Sequence, residues 1–105
     1  MTVYGYVRVS TEQQADNSSM STQRRQIRGT AEANDLDRDD ITWLEDPGVS
    51  GAKEFFKRPA IAPKVFVNGD VVIVAGLDRF SRDPRDCLNT IHFFKERHVR
   101  LIING

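Results

Sequence analysis

The spacing of apolar residues changes period several times along the chain, and each change predicts an element. Residues 2–9 (TVYGYVRV) alternate with period two, placing Val3, Gly5, Val7 and Val9 on one side and Tyr4, Tyr6 and Arg8 on the other, as in a first β-strand. From Ser10 the sequence turns polar (STEQQADNSS), after which Met20, Gln23, Ile27 and Ala31 recur at helical spacing to about Asn34. A loop and then a helix are expected. Residues 41–45 (ITWLE) predict a short second strand ended by Pro47 and Gly48, and the stretch DPGVSGAKEFFKRP predicts an exposed, mobile loop rich in turn residues. Pro59 suits the first turn of a helix with Ile61, Ala62, Val65 and Phe66 on its apolar face, stopped by Asn68-Gly69. Residues 71–75 (VVIVA) form a continuous apolar run of strand length, as expected of a central parallel strand buried on both faces. Asp83-Pro84 predicts an N-cap and N1, opening a helix to about His98 with Cys87, Leu88, Ile91 and Phe94 as its stripe. Residues 99–103 (VRLII) read as the last strand.

The order βαβαβαβ, with crossovers long enough for parallel pairing, points to one open α/β sheet with helices on both faces. In such folds the working site lies at the carboxyl ends of the strands, near the point where strand order reverses. Three predicted loops meet at that rim. The first carries Arg8-Val9-Ser10, the second Gly48-Val49-Ser50-Gly51, and the third Leu77-Asp78-Arg79-Phe80-Ser81-Arg82.

Length and charge narrow the reading. A chain of 105 residues has room for one domain and no second. One cysteine, Cys87, and two histidines offer neither an internal disulfide nor a zinc-ligand set, so a reducing, intracellular setting and a metal-free site are expected. No secretory leader and no apolar run of membrane-spanning length is apparent. Fifteen Lys+Arg against fifteen Asp+Glu give zero net charge, but residues 35–46 hold six acids against Arg38, a local net of −5. The rest of the chain is therefore cationic. Its bases are mostly arginine, eleven against four lysines, and arginine suits planar, bidentate contact to phosphate.

Arg8 and Ser10 are two apart on a strand, so their side chains leave the same face and can address one anion together. Arg79 and Arg82, at i, i+3 spacing where the third strand gives way to a helix, share a side. Taken singly, each of these is an ordinary feature: R-x-S a turn, the arginines and Asp78 solvated ion pairs, Ser50-Gly51 a flexible turn, Arg58 a surface cation, Gln14 and Gln23 plain polar residues. Cys87 and His92 read as packing and surface residues. No P-loop GxxxxGK[ST] occurs, and the acidic segment lacks EF-hand spacing.

Taken jointly, the segments resemble the serine site-specific recombinases: resolvases, DNA invertases and serine integrases. Residues 6–14 (YVRVSTEQQ) are similar to the family signature Y-x-R-x-S-[ST]-x-x-Q. The resemblance continues through Gly48-Val49-Ser50-Gly51, Arg58-Pro59 and Gly69-Asp70-Val71-Val72 to Leu77-Asp78-Arg79-Phe80-Ser81-Arg82-Asp83, collinear over essentially the whole chain. It implies a flavodoxin-like three-layer sandwich with a parallel sheet of order 2-1-3-4. It further implies a cofactor-free phosphoryl transfer on DNA, in which Ser10 attacks the scissile phosphodiester and becomes a 5′-phosphoserine. Arg8, Arg79 and Arg82 are then the expected clamp on the non-bridging oxygens, with Arg58 as a fourth cation. Asp78 either orients arginines or shuttles a proton to the leaving 3′-oxygen. Gln14, Gln23 and Ser50 match supporting polar positions.

The chain departs from the family pattern in three places. Val65 stands where the family often carries a lysine, with Lys64 one residue off; the segment between Gln14 and Gln23 is longer than in compact resolvases; and the sequence stops at Gly105. Residues 1–105 are therefore expected to be a catalytic core lacking the long oligomerisation helix and the C-terminal DNA-binding domain, inactive alone. The implied partners are DNA and, in a full-length protein, further copies as dimer and tetramer. The expected location is the cytoplasm, on DNA. A non-catalytic phosphate- or nucleotide-binding module, or a regulatory remnant acting on a recombinase, is the alternative of a different class.

Overall fold

The computed structural model describes residues 1–10 and 17–104, so Gln14 lies outside the described residues. Four strands, β1 (Val3–Val9), β2 (Thr42–Pro47), β3 (Val71–Val74) and β4 (Arg100–Ile103), form one parallel sheet of order β2-β1-β3-β4. Three helical segments accompany them: α1 (Asn17–Ala33), the single turn α2 (Leu77–Phe80) and α3 (Pro84–Glu96). The expected sheet order and flavodoxin-like class are what the chain adopts.

Strand parity sets the two faces. Val3, Val7, Val71, Ile73 and Ala75 pack with Ile27 and Ala31 of α1 on one side. Tyr6, Leu44, Val72 and Val74 pack with Phe55, Ile61, Phe66, Phe80, Phe94 and Val99 on the other. All six phenylalanines of the chain join this second face: Phe55 lies 5.2 Å from Phe80, Phe56 4.4 Å from Phe93, and Phe66 5.2 Å from Phe94, ring centre to ring centre. Aromatic pairs at such separations contribute beyond their buried area, about 0.5–1.5 kcal/mol each.

Three expectations need correction, all on that second face. Residues 46–59 are an exposed loop only in part. A 3-10 turn, Phe55–Lys57, sends Phe55 into the centre of the aromatic cluster, and Arg58 beyond it is fully buried. Asp86 of α3 fixes this turn by accepting from the Phe55 amide at 3.2 Å and from Ser81 Oγ at 3.0 Å. Second, no helix runs from Pro59 to Phe66. Only isolated turns form, with Ile61 N and Ala62 N donating to Arg58 O, and Val65 is 78% exposed. Pro63 is the reason: it removes an amide, clashes with the carbonyl four residues back, and drives Ala62 away from helical torsions. Third, α3 is rotated from its expected stripe. Thr90 and Phe94 are buried while Leu88 and Ile91 are exposed, because Phe93 and Phe94 turn the helix toward Phe55 and Phe56. Its start is as expected, with Asp83 accepting from Arg85 N and Pro84 at N1.

The turn after α3 contains His98 at φ 55°, a left-handed torsion in a residue with a Cβ. Its side chain is exposed. Such positions are usually glycine, because a Cβ there meets the following carbonyl. His98→Gly is expected to raise stability by up to about 1 kcal/mol, the relief exceeding the entropy glycine adds to the unfolded chain. Urea denaturation of the two proteins checks this.

Candidate active site

The site forms where β1 outruns its neighbours. Pairing with β3 stops at Tyr6 opposite Val74, so the next peptide groups of β1 have no strand on that side. Gln23 of α1 fills the gap, accepting from Arg8 N at 3.1 Å and donating from Nε2 to Arg8 O at 2.9 Å. On the opposite edge, Val9 O accepts from Gly48 N at 2.8 Å and Val49 N at 3.0 Å. The strand end is thus held from both sides. Ser10 follows it, half-buried, and its hydroxyl makes no hydrogen bond to another described residue.

Arg8 is fully buried beneath this edge. Its Nη1 donates to Val49 O at 2.7 Å, Nη2 to Asp78 O at 2.8 Å and Nε to Arg79 O at 3.3 Å. The last two acceptors are carbonyls of α2, a single turn too short to satisfy them internally, so the guanidinium serves as its C-terminal cap. Carbonyls orient a guanidinium without neutralising it. Burial, then the like charge of Arg58, and then that of Arg82 and Arg79, lower the Arg8 pKa from its ordinary value, with Tyr6 acting in the opposite sense. Arginine nevertheless stays charged in proteins. Four guanidiniums therefore share one electrostatic neighbourhood.

Arg58 is equally buried and equally free of carboxylate contact. It donates from Nε to Lys53 O at 3.1 Å, from Nη2 to Gly51 O at 3.2 Å and from Nη1 to the Tyr6 hydroxyl at 3.4 Å. Tyr6 in turn donates to Asp46 Oδ2 at 2.9 Å. Burial above all pushes the Tyr6 phenol well up from its ordinary pKa, so it remains a protonated donor. Among the described residues neither Arg8 nor Arg58 makes an ion pair.

The other two arginines stand nearer solvent. Arg79 has its Nε 3.8 Å from Asp78 Oδ2 and its Nη2 3.4 Å from Ser19 Oγ, while the Asp78 side chain is 67% exposed. Arg82 is exposed and makes no side-chain hydrogen bond or ion pair among the described residues. Its backbone amide donates to Gly51 O at 3.0 Å. Gly51 is the residue around which the arginines close. A Cβ there lies 2.9 Å from both Arg8 Nη2 and Arg82 Cγ, so only glycine leaves both side chains where they are. Beside Arg79 opens a polar cavity of about 320 Å³, lined by Ser19, Thr22, Gln23, Gln26, Ala75, Asp78 and Arg79.

The structure thus brings Arg8, Ser10, Arg58, Asp78, Arg79 and Arg82 to one rim, with Gln23 bracing it. Ser50 is different: it is exposed, and its Oγ accepts from Ala52 N within its own turn. Sequence reasoning passed over Tyr6 and Asp46. Tyr6 had a legible signal, since a buried phenol on the Arg8 face of β1 needs a polar partner. Asp46 was counted with the acids of residues 35–46, yet it is 2% exposed and lies opposite Arg8 in the register of β1 and β2. Among the described residues no group of three His, Cys, Asp or Glu side chains could hold a metal ion, and no helix is long and apolar enough to cross a membrane.

A parallel α/β sheet of order β2-β1-β3-β4 with arginines gathered at its switch point defines the architectural class as flavodoxin-like. Within that class the particular family follows from comparison. The family model for the resolvase N-terminal domain matches residues 3–104, and the chain belongs to this family. It is similar to the N-terminal catalytic domain of TP901-1 integrase at 33% identity and a TM-score of 0.76, over 98% of this chain and 77% of that one. It is also similar to a resolvase family site-specific recombinase from Streptococcus pneumoniae, at 28% identity and a TM-score of 0.66, over 98% of this chain and 71% of that one. The C-terminal catalytic domain of ISC1926 TnpA, an IS607-like serine recombinase, shares the fold at 20% identity and a TM-score of 0.69, over 100% of this chain and 68% of that one. No curated protein sequence matches the chain.

The Gln23 brace generates a prediction. Gln23→Leu leaves the amide and carbonyl of Arg8 buried without partners, each at about 1–3 kcal/mol. A loss of about 2–4 kcal/mol in unfolding free energy is expected from urea titration; a change below 1 kcal/mol contradicts this account of the strand end.

Proposed function

We propose that this domain breaks and rejoins DNA through a covalent serine intermediate. The Ser10 oxygen attacks the scissile phosphorus, the bond from phosphorus to the 3′-oxygen breaks, and a 5′-phosphoserine forms. The serine loses its proton and the departing 3′-oxygen gains one. The ester retains the bond energy, so the reverse attack by a 3′-hydroxyl rejoins strands without ATP. The observation that carries this reading is the arginine rim. Four guanidiniums gather at a strand end bearing a serine whose hydroxyl has no hydrogen-bond partner among the described residues, and the two buried ones make no ion pair among those residues.

A phosphodiester repels nucleophiles by its own charge, so its attack requires positive charge held at the non-bridging oxygens. Arg79 and Arg82, the two with solvent access, are suited to direct contact. Arg8 and Arg58 supply charge from behind and fix the loops that bear the other two. The Asp78–Arg79 pair favours an orienting role for Asp78. No metal is required in this scheme. Membership of the resolvase family and the 33% identity to an integrase catalytic domain support DNA as the substrate.

Joined to the oligomerisation helix and DNA-binding domain of a serine recombinase and incubated, in the presence of a chelator, with a supercoiled plasmid carrying that recombinase's site, the domain is expected to yield a protein–DNA adduct at the 5′ end, seen by denaturing electrophoresis and mass spectrometry. Ser10→Ala abolishes it. Arg79→Ala and Arg82→Ala each slow its formation by about 10²–10³-fold, the usual effect of removing one preorganised donor. An adduct of undiminished yield with Ser10→Ala overturns the mechanism.

A further inference from the structure

Asp46 is placed to pair directly with a buried arginine and does not. It is the cross-strand neighbour of Arg8 in the register of β1 and β2, and it lies one hydroxyl group away from Arg58. Both its oxygens are nevertheless engaged by neutral donors: Oδ2 accepts from the Tyr6 hydroxyl at 2.9 Å and Oδ1 from Ala60 N at 2.9 Å. The Tyr6 oxygen stands between the two charges, donating to the carboxylate and accepting from Arg58 Nη1 at 3.4 Å. Its ring is fully buried, edge-on to Phe55 with ring centres 5.4 Å apart, and the Arg58 guanidinium lies over it at 5.7 Å. The spacer is therefore clamped by packing as well as by hydrogen bonds.

We propose that Tyr6 is a positioning residue that holds the Asp46 carboxylate off the Arg58 guanidinium, so that the charge of the buried arginine pair stays available to a phosphate at the rim. The inference rests on the phosphate-directed reading given above. A carboxylate and a guanidinium in a dry interior attract strongly and pair bidentately when nothing intervenes. Such a pair still satisfies hydrogen bonds, but with the opposite charges in contact the field of the cation is offset most fully and the pair draws an anion least. With the phenol interposed, Asp46 retains a structural task, holding the peptide two residues beyond Arg58, and its greater separation weakens, without removing, its offset of the cation.

The test uses inorganic phosphate as probe, followed by calorimetric titration and by the phosphate-dependent rise in thermal midpoint. Tyr6→Phe keeps the ring and removes only the spacer oxygen. It is expected to weaken phosphate binding by about tenfold, the scale of one charge-assisted contact. Asp46→Asn alone is expected to bind phosphate more tightly than the parent. The double variant, Tyr6→Phe with Asp46→Asn, is expected to recover most of the lost affinity, because the carboxylate that collapsed onto Arg58 is gone. A purely structural role for Tyr6 predicts the opposite, since the second substitution removes a further hydrogen-bonding group and adds to the damage. Unchanged affinity in Tyr6→Phe, a double variant no better than the single, or a parent protein indifferent to phosphate overturns the inference. Failure of the catalytic reading is read separately: phosphate binds and the variants rank as stated, but no Ser10-dependent adduct forms on DNA.

Discussion

A guanidinium buried at the end of a strand must find acceptors, and Arg8 finds them in the peptide carbonyls of two different loops. Val49 O comes from the loop after β2, and Asp78 O and Arg79 O come from α2 after β3. One side chain thereby fixes all three strand ends relative to one another. Hydrogen bonds to a charged group contribute about 1.5–3 kcal/mol each, against a desolvation cost of several kcal/mol for burying an ion. The balance explains why three bonds are made and why the loops cannot drift without exposing the cost. Ser10, Arg79 and Arg82 inherit their positions from this arrangement.

Arg58 repeats the device one layer out, and the aromatic face makes it possible. Its guanidinium lies over Phe55 at 5.3 Å as well as over Tyr6, and Phe55 is held by Phe80, Phe94 and the Asp86 carboxylate. A rigid ring wall lets a long, flexible side chain be placed by packing rather than by an ion pair. That distinction carries the proposed function. A cation oriented by carbonyls and rings keeps its charge, whereas one oriented by a carboxylate gives it up.

Much of this was legible in the sequence, and the boundary has physical causes. Period-two alternation located β1 and hence the strand end that carries Arg8 and leads into Ser10; the apolar run 71–75 located β3 and hence the segment bearing Asp78, Arg79 and Arg82. Arg58 was nominated by family resemblance and not by any local pattern, because its burial depends on Phe55 reaching a core assembled from distant residues. The acceptors of Arg8 were invisible for a different reason: they are peptide carbonyls, and a carbonyl has no letter. Tyr6 and Asp46 meet across 40 positions of chain, a contact that only the parallel register of β1 and β2 brings about. The apolar pattern alone predicts a helix at Pro59, and Pro63, whose missing amide decides the matter locally, prevents it.

The zero net charge of the chain also takes on a different meaning. Neutrality at the level of composition is compatible with a strongly cationic site because charge acts over a Debye length of about 8–10 Å, not over a whole domain. Asp35, Asp37, Asp39 and Asp40 lie in the turn leading to β2, at the amino ends of the strands, whereas the arginines gather at the carboxyl ends. Asp46 breaks this segregation, and Tyr6 stands where the break occurs. Clustered guanidiniums repel one another, so the domain gives up stability to keep them together, and under the proposed function a phosphate relieves the repulsion that the fold maintains. The same feature that makes the rim costly is the one the proposed function uses to attract an anion.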